Sequence, residues 1–267
     1  MNKPNPLFYL PFVNKMCLFT FIWTSLIACQ KKEEIAPTQG RMPTPSQTEL
    51  SIEKLTQYLA STTGFDPTQI IYLATDSTFV INNDILAKES DVRERHSRSM
   101  VARTDQWRYN YLVSKANVTN IDYFFESTVP ASWKTATLKS IQNWNAINGT
   151  SLYLRETTTR NSADVVIKLG YAAENWVARA YLPSYTGKAG FEITINSKYN
   201  SISESYKVFT MTHEMGHTFG LMHTDQNSGI FISGTPTKDA NSVMNSVVLP
   251  WQAFTAGDIK AVQTIYP

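Results

Sequence analysis

Residues 212–225 read Thr-His-Glu-Met-Gly-His-Thr-Phe-Gly-Leu-Met-His-Thr-Asp, and they contain three of the four histidines in this 267-residue chain. His213 and His217 are four residues apart, so on a helix their imidazoles project from one face about one turn apart. Two imidazoles at this spacing can bind one Zn²⁺ at about 2.0–2.1 Å each. The stretch therefore predicts a zinc-binding helix.

The residues around this pair complete a catalytic set. Gly220 can adopt a left-handed conformation that ends the helix and turns the chain back, which lets His223 reach the same metal. Three neutral nitrogens leave a fourth position open for water, as in catalytic zinc sites. Glu214 lies near the same face and is placed to polarise the zinc-bound water. The alternative is a helix with surface histidines and a glycine cap.

This pattern resembles the long motif of the metzincin metallopeptidases, which continues to a downstream methionine turn. Residues 241–245, Asn-Ser-Val-Met-Asn, are the candidate for that turn, with Met244 as a hydrophobic base beneath the metal and an ordinary turn with a core methionine as the alternative. Residues 213–217 also resemble the bacterial lipoprotein peptidases named for a His-Glu-Ile-Gly-His core, with Met215 in place of isoleucine.

The resemblance covers residues 106–267 and implies an α/β, metzincin-like catalytic domain. Such a domain has a twisted mixed sheet, a helix, the zinc-binding active-site helix, the Met-turn and a C-terminal helix. The strand around Ala178–Leu182 corresponds, by this resemblance, to the cleft-edge strand that pairs with an extended substrate. Ala178, Arg179 and Ala180 are accordingly the candidate substrate-binding residues.

Hydrophobic periodicity predicts the individual elements of the chain. Helices are predicted over 51–62, 131–147, 203–219 and 256–265, the first of them capped by Ser51. Strands are predicted at 70–73, 78–81, 109–113, 121–125, 151–154, 163–169, 179–182 and 191–195. Residues 88–105 are rich in charge and are predicted to form an exposed connector that contains a solvated His96.

The first 29 residues predict export and anchoring. Lys3 and Lys15 precede a 13-residue apolar run over 16–28, which is typical of a secretory signal peptide and is too short for a stable transmembrane helix. The run ends Leu-Ile-Ala-Cys, which resembles a bacterial lipoprotein box. Residues 1–28 are then a lipoprotein signal peptide and Cys29 carries the lipid; an ordinary signal peptide that ends near a cysteine is the alternative.

Composition limits the remaining functions. Both cysteines, Cys17 and Cys29, precede the folded part, so no disulfide or thiolate metal site is expected there. Loss of residues 1–28 leaves 22 basic and 22 acidic residues, which gives no sign of nucleic-acid binding. Residues 29–50 are predicted to be a flexible tether. We expect an exported monomer that is lipid-anchored to the outer membrane of a bacterium; exposure at the cell surface is left open.

Residues 51–105 form a small N-terminal region. One hypothesis is that this region is an inhibitory or chaperoning pro-segment. This region contains no cysteine that could cap the zinc. Asp84 is a candidate for capping the zinc. The preferred interpretation is that Asp84 is an ordinary aspartate at the end of a strand, with no role at the metal.

The sequence as a whole predicts a zinc-dependent endopeptidase that acts on polypeptide substrates, with Glu214 as general base and Zn²⁺ as cofactor. The rival class is a surface lipoprotein for binding or adhesion that retains a non-catalytic zinc site. A zinc hydrolase that acts on non-peptide substrates is a third possibility.

Overall fold

The computed structural model describes residues 50–98, 106–226 and 229–267. The predictions for the signal peptide, for Cys29 and for nearly all of the tether therefore lie outside the described residues. Among the described residues, none of the helices has the length and apolar character that a membrane crossing requires.

Most of the strands join one mixed sheet. The strands are β1 (Ile70–Leu73), β2 (Thr78–Ile81), β3 (Ile85–Lys88), β4 (Gln106–Arg108, outside this sheet), β5 (Ile121–Phe125), β6 (Leu154–Glu156), β7 (Val165–Gly170), β8 (Ala178–Tyr181) and β9 (Glu192–Asn196). The order of the sheet among the described residues is β1-β2-β3-β8-β9-β7-β5-β6. The pairs β1/β2, β2/β3 and β8/β9 are antiparallel, whereas β3/β8, β9/β7, β7/β5 and β5/β6 are parallel.

Two long helices pack together and carry the main core. Trp144 of the first donates a hydrogen bond from Nε1 to the carbonyl of Thr212 in the second, at 3.1 Å. Thr212 donates in turn to the Ser140 hydroxyl at 2.9 Å, and all three side chains are buried. This pairing fixes the position of the helix that carries the histidine motif. The helices are α1 (Ile52–Thr63), α2 (Glu89–Arg98), α3 (Lys115–Val118), α4 (Ala131–Asn145), α5 (Glu204–Thr218) and α6 (Ala256–Ile265).

The predicted elements with clear hydrophobic periodicity are confirmed. Helix α1 begins after Ser51, whose hydroxyl accepts the backbone N–H of Lys54 as predicted. Helix α6 has the predicted bounds, α4 begins as predicted and ends two residues earlier, and α5 is one residue shorter at each end. Strands β1 and β2 also lie where alternation places them.

The prediction of an exposed connector over 88–105 is wrong for its described part. Residues 89–98 form α2, on which Val92 and Arg95 are buried. The Arg95 guanidinium lies 4.5 Å from the ring centre of Tyr109 and 4.8 Å from that of Tyr111, and it donates to the carbonyl of Pro183. The charged composition is misleading because the exposed face of α2 is built from ion pairs between Glu and Arg one turn apart.

Two strand predictions are also wrong. Residues 109–113 alternate in hydrophobicity but form no strand, because Tyr109 N–H bonds the carbonyl of Gly220 and Val113 N–H bonds the hydroxyl of Tyr266. Strand β6 begins at Leu154, so only the end of the predicted 151–154 strand is extended in the sheet. Ser151 N–H instead bonds the carbonyl of Tyr266 near the C-terminus.

Candidate metal centre

Helix α5 presents the first two histidines to a buried site. Its residues from 207 to 218 are all buried, so the imidazoles of His213 and His217 face protein and not solvent. Their Nε2 atoms lie 3.0 Å apart. Burial lowers the pKa of His217 well below its ordinary value, and the neighbouring His213 and His223 lower it further. The ring is therefore neutral at physiological pH, which is the form that binds a metal.

A glycine turn brings the third histidine back to this pair. Gly220 has a φ of +104°, a left-handed conformation that a residue with a side chain rarely adopts. The turn is closed by a hydrogen bond of 2.9 Å from Leu221 N–H to the carbonyl of Gly216. Nε2 of His223 consequently lies 3.2 Å from Nε2 of His217. The structure thus brings together the three predicted ligands.

The outer nitrogen of each of the three rings lies at hydrogen-bond distance from a partner. Nδ1 of His213 lies 2.8 Å from the carbonyl of Val243, and Nδ1 of His217 lies 2.8 Å from the carbonyl of Leu221. A carbonyl can only accept, so each Nδ1 carries the hydrogen and Nε2 presents its lone pair to the site. Nδ1 of His223 lies 3.0 Å from the side-chain amide of Asn82.

Met244, the residue of the predicted Met-turn, packs against α5 at Gly216 and is 2% exposed. A Cβ atom added at Gly216 would lie 2.4 Å from Sδ of Met244, so a larger residue there would require this side chain to shift. The turn is held by Asp258, whose carboxylate accepts from the hydroxyl of Ser242 at 2.5 Å and from Val243 N–H at 3.2 Å.

Glu214 is buried beside the three imidazoles. Burial raises the pKa of its carboxyl well above the ordinary value, the nearby charge of Asp84 raises it further, and Arg179 opposes this shift. Its Oε2 is buried and has no hydrogen-bond partner among the described residues. Together with Asp84, it lines a cavity of about 170 Å³ that opens beside His213. Glu214 thus lies beside the three imidazoles and is not one of the four residues whose ligand atoms converge.

Asp84 is the fourth member of the cluster. Its Oδ2 lies 3.1 Å from Nε2 of His223 and 3.5 Å from Nε2 of His213. The preference for a plain strand-end aspartate is therefore wrong, because the β2–β3 hairpin carries this carboxylate into the site. Burial alone would raise the pKa of Asp84, but His223, His213 and His217 together outweigh it and hold this pKa below its usual range.

The four side chains fit a zinc ion. A tetrahedral ion with ligand bonds of about 2.0–2.1 Å requires ligand atoms about 3.3–3.4 Å apart. Four of the six distances in this cluster are 3.0, 3.2, 3.1 and 3.5 Å. One buried oxygen of Asp84 and one of Glu214 also have no hydrogen-bond partner in the described part of the chain. A bound cation would compensate the negative charge of these carboxylates.

The predicted substrate-binding residues lie on β8. Ala178 and Ala180 are buried, and Arg179 is half-buried. One edge of β8 pairs with β9 and the other pairs with β3, so the chain itself covers the edge that was predicted to receive a substrate. The Arg179 guanidinium lies 4.4 Å from the ring centre of Trp176 and donates to the carbonyl of Asn83.

The remaining residues with open roles lie apart from the cluster. His96 contacts the ring of Tyr58 edge-on, with ring centres 5.1 Å apart, and it is no part of the site. The carboxylate of Asp225 accepts from the backbone N–H and the hydroxyl of Ser246, at 3.0 and 2.5 Å. Asp225 thus joins the loop after His223 to the chain that follows Met244.

The fold and the site define a metallopeptidase of the metzincin type, as predicted: a mixed sheet, an active-site helix, a glycine turn, a Met-turn and a C-terminal helix. The sequence model of the family described as Dual-action HEIGH metallo-peptidase matches residues 79–266. The chain belongs to this family. Membership of this family implies a bound metal, typically zinc, and a polypeptide substrate.

Two solved structures of myroilysin are similar to the chain. The one titled "Structure of Myroilysin" has 11% identity and a TM-score of 0.39, and the match covers 56% of this chain and 80% of that one. The other, "Crystal structure of myroilysin", has 12% identity and a TM-score of 0.40, with coverage of 56% and 84%. Comparison with curated proteins gives no match.

Proposed function

We propose that the protein is a zinc-dependent endopeptidase in which His213, His217 and His223 hold the metal and Glu214 is the general base. One observation carries the proposal. Three buried imidazoles converge through Nε2 within a cluster whose ligand atoms all lie within 4.8 Å of one another, and a glutamate with an unpartnered carboxylate oxygen lies beside them. A purely structural zinc site has no use for such a base.

Glu214 is suited to move a proton. Zinc bound at the three histidines would act as a Lewis acid on the attacking water and on the substrate carbonyl. The Glu214 carboxylate accepts a proton from the attacking water and then donates it to the leaving amine. The buried Oε2 of Glu214 has no hydrogen-bond partner among the described residues, so this oxygen is available to accept the proton.

The substrate is proposed to bind as an extended peptide along β8. In the structure this edge already receives an extended segment: Ala180 N–H donates to the carbonyl of Asp84 at 3.0 Å. Arg179 is placed to bind a second peptide carbonyl, as it does with Asn83. Backbone hydrogen bonds of this kind give affinity with modest sequence selectivity.

The zinc-loaded full-length protein with Asp84→Asn, which removes the carboxylate from the histidine cluster, tests this function with and without Glu214→Gln on a quenched-fluorescent peptide library. We expect Glu214→Gln to lower the rate by about 10²–10⁴, the range typical of a general base, while zinc content stays at the wild-type value. Added chelator should abolish the remaining cleavage. Mass spectrometry of the products gives the cleavage preference.

Two results would contradict the proposal. Equal rates with and without Glu214→Gln would exclude the glutamate as the base. Zinc binding without hydrolysis of any peptide, under all conditions that open the site, would favour the alternative of a binding or adhesion lipoprotein.

We also propose that the protein acts as an exported monomer, held to a bacterial outer membrane by a lipid on Cys29. The support is the sequence: a basic start, a 13-residue apolar run and a cysteine directly after Leu-Ile-Ala. Cys29→Ser should move the protein from the membrane fraction to the soluble fraction and remove incorporation of labelled fatty acid. Unchanged fractionation and labelling would refute the anchor.

A further inference from the structure

The tip of the β2–β3 hairpin enters the metal site. The last pair of the hairpin is Ile81 with Ile85, which leaves residues 82–84 as the turn. Asn82 and Asn83 have φ values of +48° and +75°, a left-handed conformation that asparagine tolerates better than most residues. The double left-handed turn carries the carboxylate of Asp84 to His213 and His223.

This carboxylate lies where a fourth ligand would lie. Its Oδ2 is 3.5 Å from Nε2 of His213 and 3.1 Å from Nε2 of His223, and these two nitrogens are 3.0 and 3.2 Å from Nε2 of His217. A tetrahedral zinc site has four positions, and peptide hydrolysis needs one of them for water or substrate. With Asp84 in the fourth position, none of the four is open.

The backbone of the same hairpin covers the substrate edge. Strand β3 pairs in parallel with β8, with Ile85 opposite Ala180 and Leu86 opposite Tyr181. Leu182 N–H donates to the carbonyl of Leu86 at 3.0 Å, in addition to the bond from Ala180 to Asp84. A peptide cannot use these donors while β3 is in place. The backbone carbonyl of Asp84 accepts from Ala180 N–H, whereas its side-chain carboxylate faces the histidines. The hairpin therefore presents a side chain, and not a peptide bond, to the metal position.

A substantial core holds the hairpin in this position. Phe79, Ile81 and Ile85 are fully buried in a cluster that also contains Leu182 and Met222. Leu182 follows β8, and Met222 directly precedes His223. The hairpin therefore packs against the same segments that build the site.

We propose that Asp84 is the fourth ligand of the zinc and that the β2–β3 hairpin is an internal, strand-shaped inhibitor that must leave the site before a substrate can bind. This inference rests on the proposed function, since it concerns the same metal. It assigns residues 78–88 the role of a covering segment and implies that the full-length chain is latent.

The test uses full-length protein with Glu214→Gln, which prevents self-cleavage, loaded with zinc or with cobalt(II) as a spectroscopic probe. The Glu214→Gln protein is compared with two double variants, one that also carries Asp84→Asn and one that also carries Asp76→Asn. Asp76 is a matched control, because it lies at the opposite end of β2, in the turn before Thr78. The readouts are the visible spectrum of cobalt, zinc affinity and the binding of acetohydroxamate, a small ligand that needs an open metal position.

Asp84→Asn should change the cobalt spectrum, weaken zinc binding by about tenfold or more, and bind acetohydroxamate at least about tenfold more tightly than the background. Asp76→Asn should match the background in all three. Asp84→Ala provides a second variant if the asparagine itself ligates, and circular dichroism checks the fold of each. Identical spectra and identical acetohydroxamate affinities for all the proteins would overturn the inference.

Restoring Glu214 separates this inference from the proposed function. If Asp84→Asn opens the metal but no peptide is cleaved, the peptidase proposal fails and ligation by Asp84 stands. If the wild-type chain cleaves peptides as fast as Asp84→Asn and the cobalt spectra agree, the inhibitor proposal fails and the peptidase stands.

Discussion

At the scale of single residues, a close contact between Gly216 and Met244 joins α5 to the segment that follows the histidine motif. Gly216 separates the two histidines of α5, and a Cβ atom there would meet both Sδ and Cε of Met244, at 2.4 and 3.0 Å. The Met-turn therefore touches α5 at the one position where the helix lacks a side chain. The glycine in the His-Glu-Met-Gly-His stretch thus has a packing reason that is independent of metal binding.

Gly216→Ala is expected to destabilise the zinc-loaded protein by about 1–3 kcal/mol, because the added methyl group overpacks a buried contact. Met244→Leu shortens the side chain that the methyl would meet and should cost less than about 1.5 kcal/mol alone. The double variant should be more stable than the sum of the single effects predicts, by about 1 kcal/mol. Urea unfolding of the four proteins measures this coupling, and additivity within about 0.5 kcal/mol would contradict the contact.

The ligand residues could be predicted from the sequence, whereas Asp84 could not be assigned. His213, His217 and His223 are close in the chain, so helical spacing and one glycine turn are sufficient to bring them together. Asp84 is more than a hundred residues away, and its approach depends on the pairing of β3 with β8. Strand pairing over such a distance leaves no periodic signal in a single sequence. The two asparagines before Asp84 signal a turn but not its destination.

At the scale of elements, α6 supports the metal site through a relay of hydrogen bonds. Asp258, in the first turn of α6, accepts from Thr255 N–H at 2.9 Å and thereby caps the helix. The same carboxylate accepts from Val243 N–H, and the carbonyl of Val243 accepts from Nδ1 of His213. The orientation of a predicted zinc ligand is thus coupled to the start of the last helix.

Asp258→Ala should lower the free energy of unfolding by about 2–4 kcal/mol, because the buried donors of Ser242 and Val243 and the half-buried N–H of Thr255 lose a charged acceptor. It should also weaken zinc binding by about tenfold, the effect expected when the support of a ligand is removed. Zinc competition with a chromogenic chelator measures the second effect.

Thr255→Ala is the matched control for the relay. It removes the side-chain cap of the same helix, which is worth about 1 kcal/mol, and leaves Val243 and its carboxylate partner in place. Its zinc affinity should remain at the wild-type value. A loss of zinc affinity equal to that of Asp258→Ala would show that capping alone accounts for the effect.

Element prediction succeeded where one face of a helix or strand is apolar and failed where partners come from elsewhere. The apolar stripe of α4 and the alternation in β5 correspond to buried faces in the structure. The alternation at 109–113 was wrong because the backbone there bonds the Gly220 turn and the Tyr266 side chain. Helix α2 was missed because its ion pairs between residues four apart read as solvated charge.

At the scale of the whole molecule, the N-terminal region and the peptidase part are joined by one sheet. Strands β1 to β3 continue the sheet beyond β8, and the family match begins at residue 79, inside this region. The boundary predicted between residues 105 and 106 is based on a change in composition. In the structure, β3 lies before this boundary and β8 after it, and the two strands pair in one sheet. Sequence reasoning predicted that the three histidines converge, as they do in the structure, but could not show that the chain covers them.

Both cysteines precede residue 30, so no disulfide stabilises the described fold. Under the proposed function, zinc removal would leave three imidazoles and the carboxylates of Asp84 and Glu214 together without a cation. We expect metal-free protein to unfold at a lower temperature and to regain stability as zinc is added. Differential scanning calorimetry on both forms measures this difference.

Zinc titration of peptide hydrolysis tests the central claim most directly. The protein is the full-length Asp84→Asn variant, which is expected to have an open metal position, stripped of metal and assayed on a quenched-fluorescent peptide. The account predicts no hydrolysis without metal and a rate that rises in proportion to added zinc up to one equivalent per chain, with Glu214→Gln inactive throughout. Hydrolysis that persists in the metal-free protein, or that does not depend on Glu214 at one equivalent of zinc, would contradict it.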